Sequence, residues 1–234
     1  MSFKAKIAAA AATFALAGGG LGTAGTLSAS AATTPISASH FQYLYTLQFG
    51  ARYVLDTFRG RAAAGQEVIL FKASSRDPAE DFVIKDLGKV GSLYTMTKHS
   101  PFTPQFKARY SSLQAFEFQY EPHAVNSHLC AGTWPGVTAR SGYKVRLERC
   151  FHANSIWVAG PIAHRSMAIR DVANARSTFL INGATDSVSS PLVLTCPVSN
   201  PADISRAWLN VQPLHDYGNG TVFDSQQWSA MAGQ

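Results

Sequence analysis

The sequence predicts an all-β fold, and three observations support that prediction. Of its 234 residues, 46% are apolar, 11% are aromatic and only 15% are charged. This balance allows a buried core but is unusual for a helical bundle, which needs many charged surface positions. The 18 glycines and 11 prolines provide many turns. Short runs rich in β-branched and aromatic residues recur between these turns, and no long helical pattern is present.

The N-terminus has the parts of an export signal. Lys4 and Lys6 precede a short apolar run at residues 7–17, and Ala29-Ser30-Ala31 has the A-x-A pattern of a cleavage site. The apolar run is too short to cross about 30 Å of hydrocarbon. We therefore expect a cleaved secretory signal peptide instead of a membrane anchor.

These features predict the organisation of the chain. A signal peptide over residues 1–31 is cleaved near Ala31, a linker covers residues 32–45, and one all-β domain covers residues 46–234. The predicted location is therefore extracellular. No later window is apolar enough to span a bilayer, so membrane insertion is not expected.

Charge and motifs exclude several functional classes. Without Lys4 and Lys6, the chain has 18 basic and 14 acidic side chains, and its lysines and arginines occur without a long basic run. This distribution does not predict nucleic-acid binding. The sequence contains no G-x-S-x-G, H-E-x-x-H or C-x-x-C motif, and His123 and His128 are too far apart for one helical face. It therefore predicts no enzyme, no metal site and no cofactor.

The strand-like runs repeat in kind three times. Each block is predicted as a strand, a turn, a second strand, a loop and a third strand with an aromatic residue. The blocks are residues 53–56, 65–70 and 81–84; residues 128–132, 142–150 and 155–158; and residues 179–183, 190–196 and 206–211. Short strands at such regular spacing are typical of a sandwich or a barrel.

The repeats resemble the ricin-B-type β-trefoil family over about residues 46–212. The family unit has a Cys-Leu-Asp strand, a Val-x-Leu-x-x-Cys strand and a Gln-x-Trp strand. The run from Val145 to Cys150 fits the second strand at every apolar position. Trp157 and Trp208 align with the tryptophan of Gln-x-Trp, which implies core positions. The resemblance implies a β-trefoil of three units.

The spacing of the blocks predicts an insertion near residues 88–122. Val68 and Val145 are 77 positions apart, whereas Val145 and Val193 are 48 positions apart. A degenerate fourth unit is the alternative, but four units would not close a trefoil. The prolines Pro101 and Pro104, with no clear strand pair around them, favour the insertion.

The resemblance also implies a disulfide bond between Cys130 and Cys150, because the family pairs these positions within one unit. Disulfides persist in exported proteins. Cys196 aligns with the second cysteine of unit three, but Ile181 occupies the position of its partner. We expect Cys196 to be a buried thiol, and a Cys130–Cys196 pair is the alternative.

Sugar-binding members of the family use a carboxylate for two sugar hydroxyls and an aromatic ring for the apolar face of the sugar. Unit one retains Asp56 and Phe71 at these positions, whereas unit two has Ala131-Gly132 and unit three has Asn182-Gly183 where the carboxylate belongs. Asp56 could instead cap a turn and Phe71 could pack internally. Trp134, in a turn-rich segment, is a second candidate for ligand stacking.

The resemblance therefore implies a secreted, non-catalytic module that recognises an extracellular glycan or polysaccharide. Some β-trefoils are secreted protease inhibitors that insert one exposed loop into an active site. A protease is therefore the alternative partner, and the loop over residues 88–122 would be the inhibitory segment. That segment can equally be a tolerated surface insertion.

Overall fold

The computed structural model describes residues 42–74, 77–94, 100–134, 136–161, 178–198, 207–215 and 222–232. The signal peptide and residues 32–41 of the predicted linker lie outside the described residues, so both stay predictions, whereas residues 42–45, predicted as linker, belong to a strand of the domain. Within the described ranges, no helix has the length and hydrophobicity needed to cross a membrane.

The described ranges contain thirteen strands and one short α-helix. The strands are β1 (Gln42–Thr46), β2 (Tyr53–Thr57), β3 (Val68–Lys72), β4 (Phe82–Lys89), β5 (Gln114–Tyr120), β6 (Leu129–Gly132), β7 (Arg146–Arg149), β8 (Trp157–Pro161), β9 (Thr178–Asn182), β10 (Leu192–Thr195), β11 (Ala207–Trp208), β12 (Asn210–Pro213) and β13 (Trp228–Ala232). The helix, α1, covers Pro104–Tyr110.

Twelve of these strands form three units of four. Unit one contains β1 to β4, unit two contains β5 to β8, and unit three contains β9, β10, β12 and β13. The outer strands of the units form a curved antiparallel sheet in the order β1-β13-β9-β8-β5-β4. The inner strands of each unit form a hairpin: β2–β3, β6–β7 and β10–β12. This is a β-trefoil, so the predicted all-β fold is confirmed.

The three hairpins meet in a closed ring of backbone hydrogen bonds. The Val68 N–H donates to the Val145 carbonyl (3.0 Å), and the Val145 N–H donates to the Leu209 carbonyl (2.8 Å). The Leu209 N–H then donates to the Val68 carbonyl (3.3 Å) and closes the ring. These three residues occupy equivalent positions, and all three are buried. The ring therefore defines the pseudo-threefold axis of the protein.

The ring corrects the predicted residue assignment of unit three. The sequence comparison placed residues 190–196 in the second strand of the repeat and Trp208 in the third. In the structure, β10 is the first strand of the hairpin and Leu209 begins the second. The third strand is β13, which begins at Trp228 and is preceded by Gln226-Gln227. Val193 and Leu209 both lie in apolar runs, and only the hydrogen-bonded register distinguishes them.

The tryptophan side chains support the assignment of β13 as the third strand of unit three. The indole N–H of Trp157 donates to the Ala131 carbonyl, and that of Trp228 donates to the Leu194 carbonyl, both over 2.8 Å. Both tryptophans are fully buried. Trp208 is only partly buried, so its predicted core position is wrong. Trp157 does occupy the core.

The segment predicted as an insertion contains two different structures. Residues 90–113 connect β4 to β5 and include α1, which begins after Thr103; the Thr103 hydroxyl accepts the Phe106 N–H over 3.2 Å. Phe106 and Tyr110 on this helix pack with Ile156 in a second apolar cluster. The remainder forms β5, a largely buried strand of unit two.

Unit two contains the predicted disulfide bond. Cys130 in β6 is joined to Cys150, which directly follows β7. Cys196 is a buried free thiol. Both observations agree with the sequence predictions.

We predict that the double variant Cys130→Ala/Cys150→Ala lowers the free energy of unfolding by about 3 kcal/mol, because a covalent loop of this length restricts the unfolded chain. Denaturant titration followed by tryptophan fluorescence measures the change. Cys196→Ala is the control for cysteine removal and should cost less. Equal effects of the two changes would contradict a stabilising disulfide bond.

Candidate functional site: a buried carboxyl cluster in unit one

The face of the β2–β3 hairpin opposite Leu55 and Leu70, called its outer face, carries two of the predicted ligand-binding residues. Asp56 is paired with Ile69, and Val54 is paired with Phe71. Directly paired residues share a face of an antiparallel sheet, and residues two apart on a strand do too. Asp56 and Phe71 therefore lie on the same face of the hairpin, opposite the core residues Leu55 and Leu70.

A short 3-10 turn adds two more carboxyl groups to this face. Asp77 caps the turn Pro78–Glu80, and its Oδ1 accepts the Ala79 N–H over 3.0 Å. The Oε1 atom of Glu80 accepts the Ser74 N–H over 2.7 Å. As a result, Asp56, Asp77 and Glu80 each place a carboxylate oxygen within 4.8 Å of the other two.

The cluster is poorly compensated. Asp56 is 4% exposed and Glu80 is 2% exposed. The Oε2 atom of Glu80 is buried without a hydrogen-bond partner. Among the described residues, no lysine or arginine forms an ion pair with any of the three acids. Burying carboxylates without compensation is costly, so this arrangement favours a bound cation or protonation.

Burial and repulsion change the acidity of the cluster. Burial, together with repulsion from the neighbouring Asp77 and Glu80, raises the pKa of Asp56 to about 8. Burial also raises the pKa of Glu80 to about 7, with added repulsion from Asp77 and Asp81; the hydrogen bond from Ser74 opposes this shift. Tyr43 and Tyr120, which face the same acids, have raised pKa values as well.

Unit three shows how the same position is normally satisfied. Gln226 is the equivalent of Glu80, and its Oε1 accepts the His215 N–H over 2.8 Å. Its Nε2 donates to the Thr195 hydroxyl (3.2 Å) and to the Pro213 carbonyl (2.9 Å). Thr195 is the equivalent of Asp56. In unit one, Oε2 of Glu80 stands at the position of the Gln226 Nε2 donor, so an acceptor without a partner replaces a donor. The carboxylate of Asp56 likewise replaces the Thr195 hydroxyl.

Unit two satisfies the position in another way. Ser155 replaces Glu80, and the carboxylate of Glu117 reaches across from β5. Glu117 Oε1 accepts the Ser155 hydroxyl over 3.0 Å and also the backbone N–H of Phe151. Gly132 replaces Asp56, so unit two has no carboxyl pair here. Within the described residues, the uncompensated acid cluster is specific to unit one.

Sequence reasoning found Asp56 and Phe71 but missed the cluster. Glu80-Asp81-Phe82 occupies the position that Gln226-Gln227-Trp228 occupies in unit three. The replacement of glutamine by glutamate was the available signal, because it adds a charge at a buried position. The contribution of Asp77 had no comparable signal, since its sequence context predicts only a turn.

Trp134, the third predicted ligand-binding residue, belongs to unit two. Its side chain is 50% exposed, and the guanidinium of Arg146 lies 5.0 Å from the centre of its ring. This is a cation–π contact across the surface of the protein. Trp134 therefore remains a candidate stacking residue that is shared with Arg146.

A polar cleft of about 370 Å³ lies between the loops that precede β7 and β10. Its lining includes Thr138, Arg140, Ser141, Asp186 and Ser187. Hydroxyl, guanidinium and carboxylate groups can all bind a polar ligand through hydrogen bonds. The sequence analysis did not single out this cleft.

Comparison with solved structures supports the trefoil assignment. A designed threefold-symmetric protein, ThreeFoil, has a TM-score of 0.50 with 14% identity, over 83% of this chain and 99% of its own. The Rhizoctonia solani agglutinin gives a TM-score of 0.47 with 18% identity, over 85% of this chain and 99% of its own. A mosquitocidal holotoxin gives 0.45 and 9%, over 82% of this chain but 16% of its own.

At this identity, the likeness to ThreeFoil shows the fold alone, an all-β trefoil. No family model and no curated protein matches the sequence.

We predict that Glu80→Gln raises the free energy of unfolding, measured in EDTA so that no metal ion is bound, and that this gain increases as the pH rises. A carboxyl whose pKa is raised on folding costs stability as the pH rises from its unfolded pKa to its folded pKa, which for Glu80 is from about 4.5 to about 7. Glutamine cannot ionise and restores the Gln226 arrangement. Thermal unfolding of both proteins across this range measures the difference.

Asp86→Asn, which changes an exposed carboxylate in β4, is the matched control and should show no such trend. An advantage of Glu80→Gln that does not grow with pH would contradict the assigned pKa directions.

Proposed function

We propose that this protein is a secreted, non-catalytic module that recognises carbohydrate through unit one. The observation that carries the proposal is the pairing of a carboxylate with an aromatic ring on one outer face. Unit one has Asp56 and Phe71. The equivalent pairs in the other two described hairpins are Gly132 with Glu148 and Thr195 with Gln212.

This pair has the chemistry that a sugar requires. A carboxylate accepts hydrogen bonds from adjacent hydroxyls, and an aromatic ring packs against the apolar C–H face of a pyranose. Phe71 is partly exposed, whereas Asp56 lies below the surface. The ring therefore provides the accessible contact, and the carboxyl provides a polar group at the base of the site.

Secretion is supported by the predicted N-terminal signal and by the Cys130–Cys150 bond, because disulfides persist mainly in oxidising compartments. The non-catalytic role is part of the proposal and rests on the sequence, which contains no G-x-S-x-G, H-E-x-x-H or C-x-x-C motif. The resemblance to ricin-type trefoils adds carbohydrate as the class of ligand, and this step rests on analogy of fold.

The inhibitor alternative has no support from a specific observation. In the segment from 88 to 122, Val90, Phe102 and Phe106 are buried against the second apolar cluster, and β5 belongs to the barrel sheet. These parts of the segment are therefore anchored within the domain. We do not propose a protease as the partner.

We predict that Phe71→Ala weakens binding to a glycan identified on an array by at least tenfold, which corresponds to about 1.4 kcal/mol. The expected loss follows from removal of the stacking surface. Titration calorimetry with the purified protein measures the affinity, and Asp56→Asn tests the carboxyl in the same assay.

Tyr94→Ala removes another exposed aromatic ring and serves as the matched control, with unchanged affinity expected. Trp134→Ala tests the second candidate site. Loss of binding with Trp134→Ala but not with Phe71→Ala would move the site to unit two. Absence of binding to any glycan would contradict the proposal as a whole.

A further inference from the structure

The carboxyl cluster of unit one has the features of a cation site. Asp56, Asp77 and Glu80 offer one oxygen each within 4.8 Å of one another. Two Ca²⁺–oxygen bonds of about 2.4 Å span a similar distance, so three such oxygens can bind one ion. Hard divalent cations prefer carboxylate oxygens, and Ca²⁺ completes its coordination with carbonyl groups and water.

An independent observation indicates that one oxygen of Glu80 in this cluster lacks a partner. The Oε2 atom of the almost fully buried Glu80 has no hydrogen-bond partner. In unit three, the equivalent atom is the Nε2 of Gln226, which donates to Thr195 and to the Pro213 carbonyl. The equivalents of those acceptors in unit one are Asp56 and Lys72. By this equivalence, Oε2 replaces a donor whose two partners are acceptors, so the position requires a positive partner.

The surroundings favour a bound ion from solvent. Asp56 and Glu80 are buried, but Asp77 is only partly buried and lies at the edge of the cluster. An ion can therefore reach the buried oxygens beside Asp77. The three carboxylates would supply three negative charges, and no described basic side chain is paired with them. A divalent cation would compensate for this charge without an additional side chain.

We propose that unit one binds one Ca²⁺ ion through the carboxylates of Asp56, Asp77 and Glu80, with the Lys72 carbonyl as a further ligand. The other two units do not bind an ion at the equivalent position. Unit three has the Thr195–Gln226 hydrogen bond there, and unit two has the Ser155–Glu117 hydrogen bond. The proposal does not depend on carbohydrate binding.

The test is Ca²⁺ titration of the metal-free purified protein by calorimetry, with thermal unfolding in EDTA and in millimolar Ca²⁺ as a second measurement. We expect one bound ion and a higher unfolding temperature. Glu80→Gln should weaken Ca²⁺ binding by at least tenfold and abolish the thermal shift. It should also remain folded in EDTA, because it copies the Gln226 arrangement.

Asp56→Asn and Asp77→Asn test the other two ligands, and Asp86→Asn is the control that should retain full binding. No heat and no thermal shift with Ca²⁺ or with Mg²⁺ would overturn the proposal, and a proton would then be the partner of Glu80. Binding that survives both Glu80→Gln and Asp56→Asn would also overturn it. Since the titration contains no glycan, failure of the proposed sugar site would not affect its outcome.

Discussion

The structure depends on the closed ring of backbone hydrogen bonds between Val68, Val145 and Leu209. Each of these buried residues must satisfy its N–H and carbonyl, and none can do so within its own hairpin. Each hairpin therefore supplies the backbone hydrogen-bond partners that the neighbouring hairpin needs. This requirement fixes three units around one axis and sets the register in which all equivalent residues are compared.

The threefold arrangement makes local departures informative. All three units need an acceptor for a backbone N–H that follows the second hairpin strand: Ser74, Phe151 or His215. Gln226 supplies this acceptor in unit three, where its Nε2 atom also donates to Thr195 and to Pro213. Glu117 supplies it in unit two, where the same oxygen also accepts the Ser155 hydroxyl. Unit one supplies it with Glu80, whose Oε2 atom is left buried without a hydrogen-bond partner in a cluster that includes Asp56 and Asp77. In unit one, the side chain that supplies this required hydrogen bond, Glu80, therefore also places a carboxyl group in the acid cluster.

The carbohydrate proposal and the Ca²⁺ proposal concern the same part of unit one, but neither depends on the other. Phe71 and Asp56 share the outer face of the β2–β3 hairpin, and the turn that carries Asp77 and Glu80 contributes to the same acid cluster. A bound ion would hold the Asp56 carboxyl in place beside the ring. Because both features rest on residues that differ from their equivalents in units two and three, unit one is the chemically distinct part of a repetitive fold.

The resemblance of the repeats to the ricin-type trefoil family implied the Cys130–Cys150 pair and the related positions of Asp56 and Phe71. The sequence by itself determined the all-β class, the inner strands of units one and two and a threefold repeat, because these follow from local patterns of apolar and turn residues. It assigned unit three one strand too early, since Val193 and Leu209 both lie in apolar runs. Only the tertiary structure decided that Leu209 joins the ring and that Asp77 and Glu80 approach Asp56. Those contacts depend on hydrogen bonds and packing between distant segments, which a local pattern does not contain.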